Sequence, residues 1–498
     1  MTIEEIMSLI KENPGQAVTE LQNGRRKALP NVDNYKAQLD PTQHQIMINK
    51  IKYPDKWVKV DKSEEGAPGS EDNTIQVTQS QNGGGTFKLE KIARIAVAIQ
   101  DLIVKRAVAF TFGNPPKLNA EPKKGTKEQD VLDSINRVNF DNKIRTLNRR
   151  IARVLFSATE VAELWYPVDL GDKQDRYGFE SPFKLRCAIF SPLNGDKLYP
   201  YFDDNGDMQA FSRQYQLQMK DDKKKTYFET YTATQHYIWA QDDSGTWALL
   251  EGYPKKVMIG KIPVVYARQD DVEWSIVQGL IERLEELLSH FADTNDYHAS
   301  PKIVVKGQIL GWSKKGESGS IIEMDPEGSA EYLTWSQAPE SVKLEIDTLL
   351  RFIYTLTQTP DISWESVKGL GNISGRALRL LFMDAHLKVQ DKTEIFDDYL
   401  QRRLSIQQAF LAVMNEKDKA YSNAAKTLQV EPQIEPYMLR DEESEVDEIS
   451  TALGGKPFIS RHTAVSRLGW AKDTETEIET IEAEENAANY SDITEPTV

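Results

Sequence analysis

Across residues 273–291 the sequence reads EWSIVQGLIERLEELLSHF, and the apolar residues at helical spacing are Trp274, Val277, Leu280, Ile281, Leu284, Leu287, Leu288 and Phe291. The steps between them are 3, 3, 1, 3, 3, 1 and 3. That rhythm tracks the turn of an α-helix and lays one stripe along one face. Glu282, Arg283, Glu285 and Glu286 fall outside the stripe and are expected to face water. Each large side chain gains about 1.5–3 kcal/mol on full burial, so something must cover the stripe. A second helix is predicted from Pro339, a residue suited to a first turn. Its stripe is Val342, Ile346, Leu349, Leu350 and Ile353.

Between the two helices the runs KIVVKG, IIEM and AEYLTW are short and β-like, around the loop WSKKGESGS. After the second helix comes the glycine-rich stretch Gly369-Leu370-Gly371-Asn372-Ile373-Ser374-Gly375. A long helix is predicted behind it, from about Gly375 to Met414, with Phe382, Ala385, Val389, Phe396, Leu400, Leu404 and Leu411 among its apolar positions. The N-terminal region mixes short helical patterns with polar breaks, and residues 63–86 form a polar, Gly-rich connector. From Lys88 the run KLEKIARIAVAIQDLIVKRAVAFTFG carries Leu89, Ile92, Ile95, Ala96, Ile99, Leu102, Ile103 and Val108 at helical spacing. This predicts one helix buried on most sides, ended by Gly113 and Pro115-Pro116. One or two further helices are expected over 127–158, carrying the basic cluster Lys143, Arg145, Arg149, Arg150 and Arg153. Over 160–268, Tyr, Phe, Trp and Val alternate with polar residues between the turn clusters DDNGD, KDDKKK and QDDSG, the pattern of an antiparallel meander. The fold class is therefore α+β.

Composition narrows the function classes. Lys and Arg number 61 against 77 Asp and Glu, a net charge of −16. Nucleic-acid grip draws on neutralised phosphates and suits basic chains, so gripping DNA is not the expected main activity. The single cysteine, Cys187, precludes an intrachain disulfide. No basic stretch followed by an apolar run opens the sequence, and no run nears about 18 apolar residues, so neither signal peptide nor membrane span is expected.

Catalytic signatures are missing from the sequence. It contains no HExxH, no GxSxG and no Walker GxxxxGK[ST], and its six histidines are scattered. Gly369, Gly371 and Gly375 approach a dinucleotide fingerprint but are off by one, and the preceding SWESVK is polar rather than strand-like. A flexible hinge with Ser374 capping the next helix fits those residues better. Asp203, Asn205 and Asp207 alternate as calcium ligands do, yet the glycine and glutamate of a calcium loop are misplaced, which favours a hairpin turn. No nucleophile, base and oxyanion set can be assembled, so the expectation is no catalytic residue, no metal, no cofactor and no enzyme.

Several stretches resemble the portal proteins of tailed bacteriophages, specifically the SPP1-like portal family. They are RAVAFTFGNPPKL, the block IYTLTQTPDIS…GLGNISGRALRLLFMDAHLKVQDKTEIFDDYLQRRL, and ISRHTAVSRLGWAKDTETEIETIEAEE. The order of helix, β-rich insert, helix, glycine-rich loop and long helix is also similar. The likeness runs through roughly residues 88–485, while 1–87 departs in detail.

The resemblance implies a portal fold: wing 1–270, stem helix 271–294, clip 295–338, stem helix 339–354, tunnel loop 355–373, long wing helix 374–415, and crown and acidic tail 416–498. It implies a ring of twelve copies, or thirteen in isolation, at one vertex of a phage head, assembled in the host cytoplasm and carried in the virion. Double-stranded DNA would pass through the ring. Large terminase, a head–tail adaptor, and major capsid and scaffolding proteins would be partners. Trp364, Lys368, Gly369, Gly371 and Asn372 would then face the channel, with Ser374 capping the following helix. Lys314, Lys315 and Glu317 would sit at the clip tip. Neighbouring copies would cover the stem stripes. Two rivals stand beside this reading: a cytosolic nucleotide-binding enzyme using Gly369–Gly375, and a monomeric or dimeric scaffold.

Overall fold

The computed structural model describes residues 3–59, 78–79, 86–219, 224–299, 303–306, 309–312, 322–324, 329–332, 338–362, 380–438, 442–454, 457–471 and 473–493. Two compact units emerge. One comprises Met1–Thr359 with Leu387–Pro436, and the other Pro360–His386 with Tyr437–Val498.

The meander dominates the first unit. Strands Lys197–Phe202, Met208–Gln218, Lys224–Thr232, Gln235–Gln241 and Trp247–Leu249 follow one another as antiparallel neighbours in a six-stranded sheet. Strand Glu160–Asp175 lies between Glu180–Phe190 and Val264–Arg268 in a second, three-stranded sheet. The alternation of aromatic and polar residues produces this arrangement, because one face of each strand must be buried. Helices Ile3–Glu12 and Pro14–Asn23 cover the first sheet, packing Ile6, Ile10, Val18 and Leu21 against Phe228, Tyr237 and Trp239. The DDNGD cluster is a hairpin turn in which Asp203 Oδ1 accepts from the Asn205 and Asp207 amides, and Gly206 takes a φ of 92°. That positive φ is the conformation for which glycine is suited.

Two helices, Lys127–Asp141 and Ile144–Ala158, occupy the region expected to hold one or two. Helix Met383–Met414 is the long helix of the sequence reading and ends at the expected residue. Phe396 on it meets Phe112 and Phe156 edge-on, with ring centroids 4.8 and 6.0 Å apart. Arg403 of the same helix forms a buried two-bond pair with Glu163, at 2.7 and 2.8 Å, and donates to Asn148 at 2.6 Å. The long helix is thereby fixed to both the three-stranded sheet and helix Ile144–Ala158. Breaking such a pair strands a buried charge and costs about 3–5 kcal/mol.

The helix predicted from Lys88 starts late. Strand Thr86–Glu90 is followed by an extended segment over 91–98, and the helix spans only Ile99–Phe112. Side-chain acceptors from another helix capture the amides that a helix would have used. The second unit contains helices Glu442–Leu453, Arg461–Leu468 and Thr474–Ile493, with Ser460 capping the middle one and Arg461 paired to Glu485 at 2.8 Å.

Candidate assembly surface and loop root

The first amphipathic helix spans Gln278–Ala299, preceded by a 3-10 turn at Ser275–Val277. It is five residues longer than the boundary expected at 294. The second helix is Ala338–Leu356. The two lie against each other, bridged by Arg283, whose Nε and Nη2 donate to Glu345 Oε1 at 3.1 and 2.9 Å.

Their apolar faces have different fates. Trp274, Val277, Ile281, Leu284 and Leu287 are buried within the chain itself, and Leu280 and Leu288 are half-buried. Trp274 donates its indole N–H to Gln38 Oε1 at 2.9 Å and meets Tyr35 edge-on. The expectation that neighbouring copies must cover this stripe is therefore corrected: the N-terminal helices of the same chain supply much of the cover. On the second helix Ile353 is buried, while Val342, Ile346, Leu349 and Leu350 are half-buried. Leu344, Phe352 and Leu356 are exposed, at 69, 48 and 48 %. They lie eight and four residues apart, on an i±4 ridge outside the predicted stripe.

Glu285 is also corrected, from a solvent-facing to a buried residue. Its Oε1 accepts from His44 Nδ1 at 2.6 Å and from the Val97 amide at 2.9 Å. One turn on, Ser289 Oγ accepts from the Ile95 amide at 2.9 Å and donates to the Glu285 carbonyl at 2.7 Å. A further turn on, Asp293 Oδ1 accepts from the Ala93 amide at 2.6 Å. The extended strap 91–98 thus runs antiparallel along the helix, every second amide meeting every fourth side chain. Two extended residues rise about 6.6 Å and four helical ones about 6 Å, so the rungs match. This pairing overrode the helical periodicity, aided by Ile92, Ile95 and Val97, whose branched side chains favour extended backbone.

Both ring nitrogens of His44 face acceptors, since Nε2 lies 2.9 Å from the Gln38 carbonyl. A ring so placed carries both protons. Burial pulls its pKa down, but hydrogen bonding and the charge of Glu285 outweigh that and raise it above the ordinary histidine value.

A second cluster sits where the second helix ends. Lys388 donates to the Thr357 carbonyl at 3.0 Å and pairs with Glu273 at 2.8 Å, and Lys392 takes the other Glu273 oxygen at 2.9 Å. Burial pushes the Lys388 ammonium below the usual lysine range, against the pull of Glu273. Burial would raise the Glu273 carboxyl, but the two lysines hold it below the usual carboxylate range. Residues just before and just after the glycine-rich segment, Thr357 and Lys388, are joined here. No spacing rule connects these residues, which is why sequence reading missed them.

Trp364, Lys368, Gly369, Gly371, Asn372 and Ser374 lie outside the described residues, as do Lys314, Lys315 and Glu317. Between the two helices, Ile303–Lys306 pairs with Ser329–Tyr332, and Ile309–Trp312 with Ile322–Met324, all antiparallel. Among the described residues no group of three His, Cys, Asp or Glu is placed to hold a metal ion, and no helix is long and apolar enough to cross a membrane.

Comparison with known families gives a direct result. The family model described as phage portal protein, SPP1 Gp6-like, matches residues 88–490. The chain belongs to that family. The match takes in the meander, the helix pair, the long helix and most of the C-terminal helices of this portal-family chain. No curated protein matches its sequence. Among solved structures it is similar to a chain from the neck of an empty GTA particle computed with C6 symmetry, at 10 % identity over 74 % of this chain and 90 % of that one, with a TM-score of 0.41. It is also similar to a chain from the neck of a native GTA particle computed with C12 symmetry, at 10 % identity over 75 % of this chain and 88 % of that one, with a TM-score of 0.36.

Proposed function

We propose that copies of this chain close into a ring, dodecameric in the virion, that forms the portal at one vertex of a phage head. Double-stranded DNA passes through the ring during packaging and ejection. Membership of the portal family supports the role, and the exposed ridge Leu344, Phe352 and Leu356 carries the assembly argument. These side chains are exposed, at 48 to 69 %, on a helix whose predicted stripe is already half-buried or buried. Covering them against the next copy recovers roughly 3–5 kcal/mol per contact. Such a contact joins unlike surfaces and propagates until the ring closes.

In this reading the paired helices are stem helices and the hairpins between them are the clip, with terminase docking near Lys314, Lys315 and Glu317. An adaptor, scaffolding protein and major capsid protein would bind other faces. The segment that follows the helix end at Leu356, through residue 373, is the tunnel loop, rooted by the Lys388, Glu273 and Thr357 cluster, and Trp364 is its residue for DNA contact. At −16 per copy the ring repels phosphate within a screening length of about 8 Å, so DNA slides without adhering. The ring performs no catalysis in this scheme.

Native mass measurement of the full chain tests the proposal. A species near twelve or thirteen times 56.6 kDa is expected. Phe352→Asp should abolish it while leaving the circular dichroism spectrum unchanged. A wild-type chain that stays monomeric at every salt and protein concentration overturns the ring.

A further inference from the structure

Helix Ile144–Ala158 presents a cationic face that nothing among the described residues neutralises. Lys143, Arg145, Arg150 and Arg153 are exposed, and among the described residues none of their side chains has a hydrogen-bond or ion-pair partner. Arg149, on the same helix, is occupied: its guanidinium donates to the Phe112 and Gly113 carbonyls at 3.1 and 3.2 Å. Some exposed cations elsewhere in the chain do have acids in reach, as Lys105 does with Asp101 and Lys127 with Asp130 and Asp418. Three such arginines on one helix, with Lys143 at its N-cap, concentrate positive charge on one element of a chain whose net charge is −16.

That net charge argues for the occupant. Two copies at −16 repel one another, so close approach needs a local reversal of sign at the contact. Arginine favours carboxylate partners because its planar fork donates to both oxygens at once. A carboxylate face is available on the same chain. Asp397 and Asp398 are exposed on the long helix, turned away from the buried Arg403, and Glu394 sits one turn earlier. Glu431 is close enough to act on Asp397, and none of these acids has an ion-pair partner among the described residues. Burial first, and then the neighbouring charges of Asp398 and Glu431, raise the Asp397 carboxyl above the usual range.

We infer that the cationic face of helix Ile144–Ala158, through Lys143, Arg145, Arg150 and Arg153, docks on the carboxylate face Glu394, Asp397, Asp398 and Glu431 of a second copy. This inference rests on the ring proposed above and adds a second, polar contact to the apolar ridge. It makes ring assembly sensitive to salt, because exposed ion pairs weaken as the screening length falls.

A charge-swap series on the full chain, read by native mass measurement across protein and salt concentration, tests it. Arg150→Glu with Arg153→Glu, and separately Asp397→Arg with Asp398→Arg, should each raise the concentration needed for assembly by tenfold or more. Thermal melting of each variant should match wild type, since all four positions are exposed. Combining the four substitutions should restore assembly. A ring indifferent to either reversal overturns the inference and leaves the ring reading standing. Loss without restoration overturns the pairing of these two faces. A reversed variant that still forms rings but binds duplex DNA less well in a filter assay overturns it in favour of DNA as the occupant. A wild-type chain that never assembles sinks the ring and this inference together.

Discussion

The two amphipathic helices look alike in sequence and behave differently in the fold. Gln278–Ala299 buries its stripe against the N-terminal helices and the strap of its own chain, whereas Ala338–Leu356 keeps Leu344, Phe352 and Leu356 in water. The first is a core element of the subunit, and the second offers a surface. An apolar stripe in a sequence states that cover is needed but not who supplies it. The cover on the first helix also explains how a carboxylate can sit there: Glu285 is buried because His44 and the Val97 amide satisfy it.

The contrast can be broken at several points. Leu284→Asp places a charge at a position 2 % exposed. It should cost about 3–5 kcal/mol and collapse the melting transition of the subunit, whereas Phe352→Asp should shift stability by less than about 0.5 kcal/mol and remove only assembly. Calorimetry of both variants beside native mass measurement checks this, and equal destabilisation would erase the distinction. Glu285→Ala should cost about 3 kcal/mol, because it orphans both His44 and the Val97 amide. Hydrogen exchange should then rise at residues 93–97 before it rises in the meander. Unchanged protection there would show that the strap does not depend on the helix.

A pH series sharpens the same point. The pKa of His44 is raised in the folded chain. Its contribution is therefore complete below the ordinary histidine value of about 6.5 and is lost as pH rises through the higher folded value. The melting difference between wild type and His44→Gln should shrink steadily toward alkaline pH. A gap that widens instead would mean the ring is neutral in the fold. The smallest effect belongs to Arg283→Ala, which removes an exposed bridge to Glu345. Roughly 0–1 kcal/mol is expected, and a loss much above that in urea unfolding would promote the bridge to a structural role.

Much of the fold could be read from residue order. The meander was legible because Tyr, Trp and Phe alternate with polar residues between Asp- and Gly-rich turns, a period-two signal with few rivals. The helix pair and the end of the long helix were legible from helical periodicity. The strap was not. Its apolar residues, Ile92, Ile95 and Ala96, fit a helix as well as an extended chain. What decided between them lay at Glu285, Ser289 and Asp293, far along the sequence and polar in type. The cluster at the end of the second helix escaped for the same reason: Glu273, Thr357 and Lys388 meet only through tertiary structure. The ridge on the second helix was present in the letters, but a reading that sought the buried face passed over the apolar residues on the other one.

The strap has one more consequence. Three rungs at nearly equal pitch act as teeth on a rack. The helix cannot slide by a fraction of a turn without unseating all of them together, and the next position that engages teeth again lies about 6 Å away, four residues along. Axial force on that helix therefore meets a detent: small loads produce no creep, and a load large enough to move it does so by a whole notch.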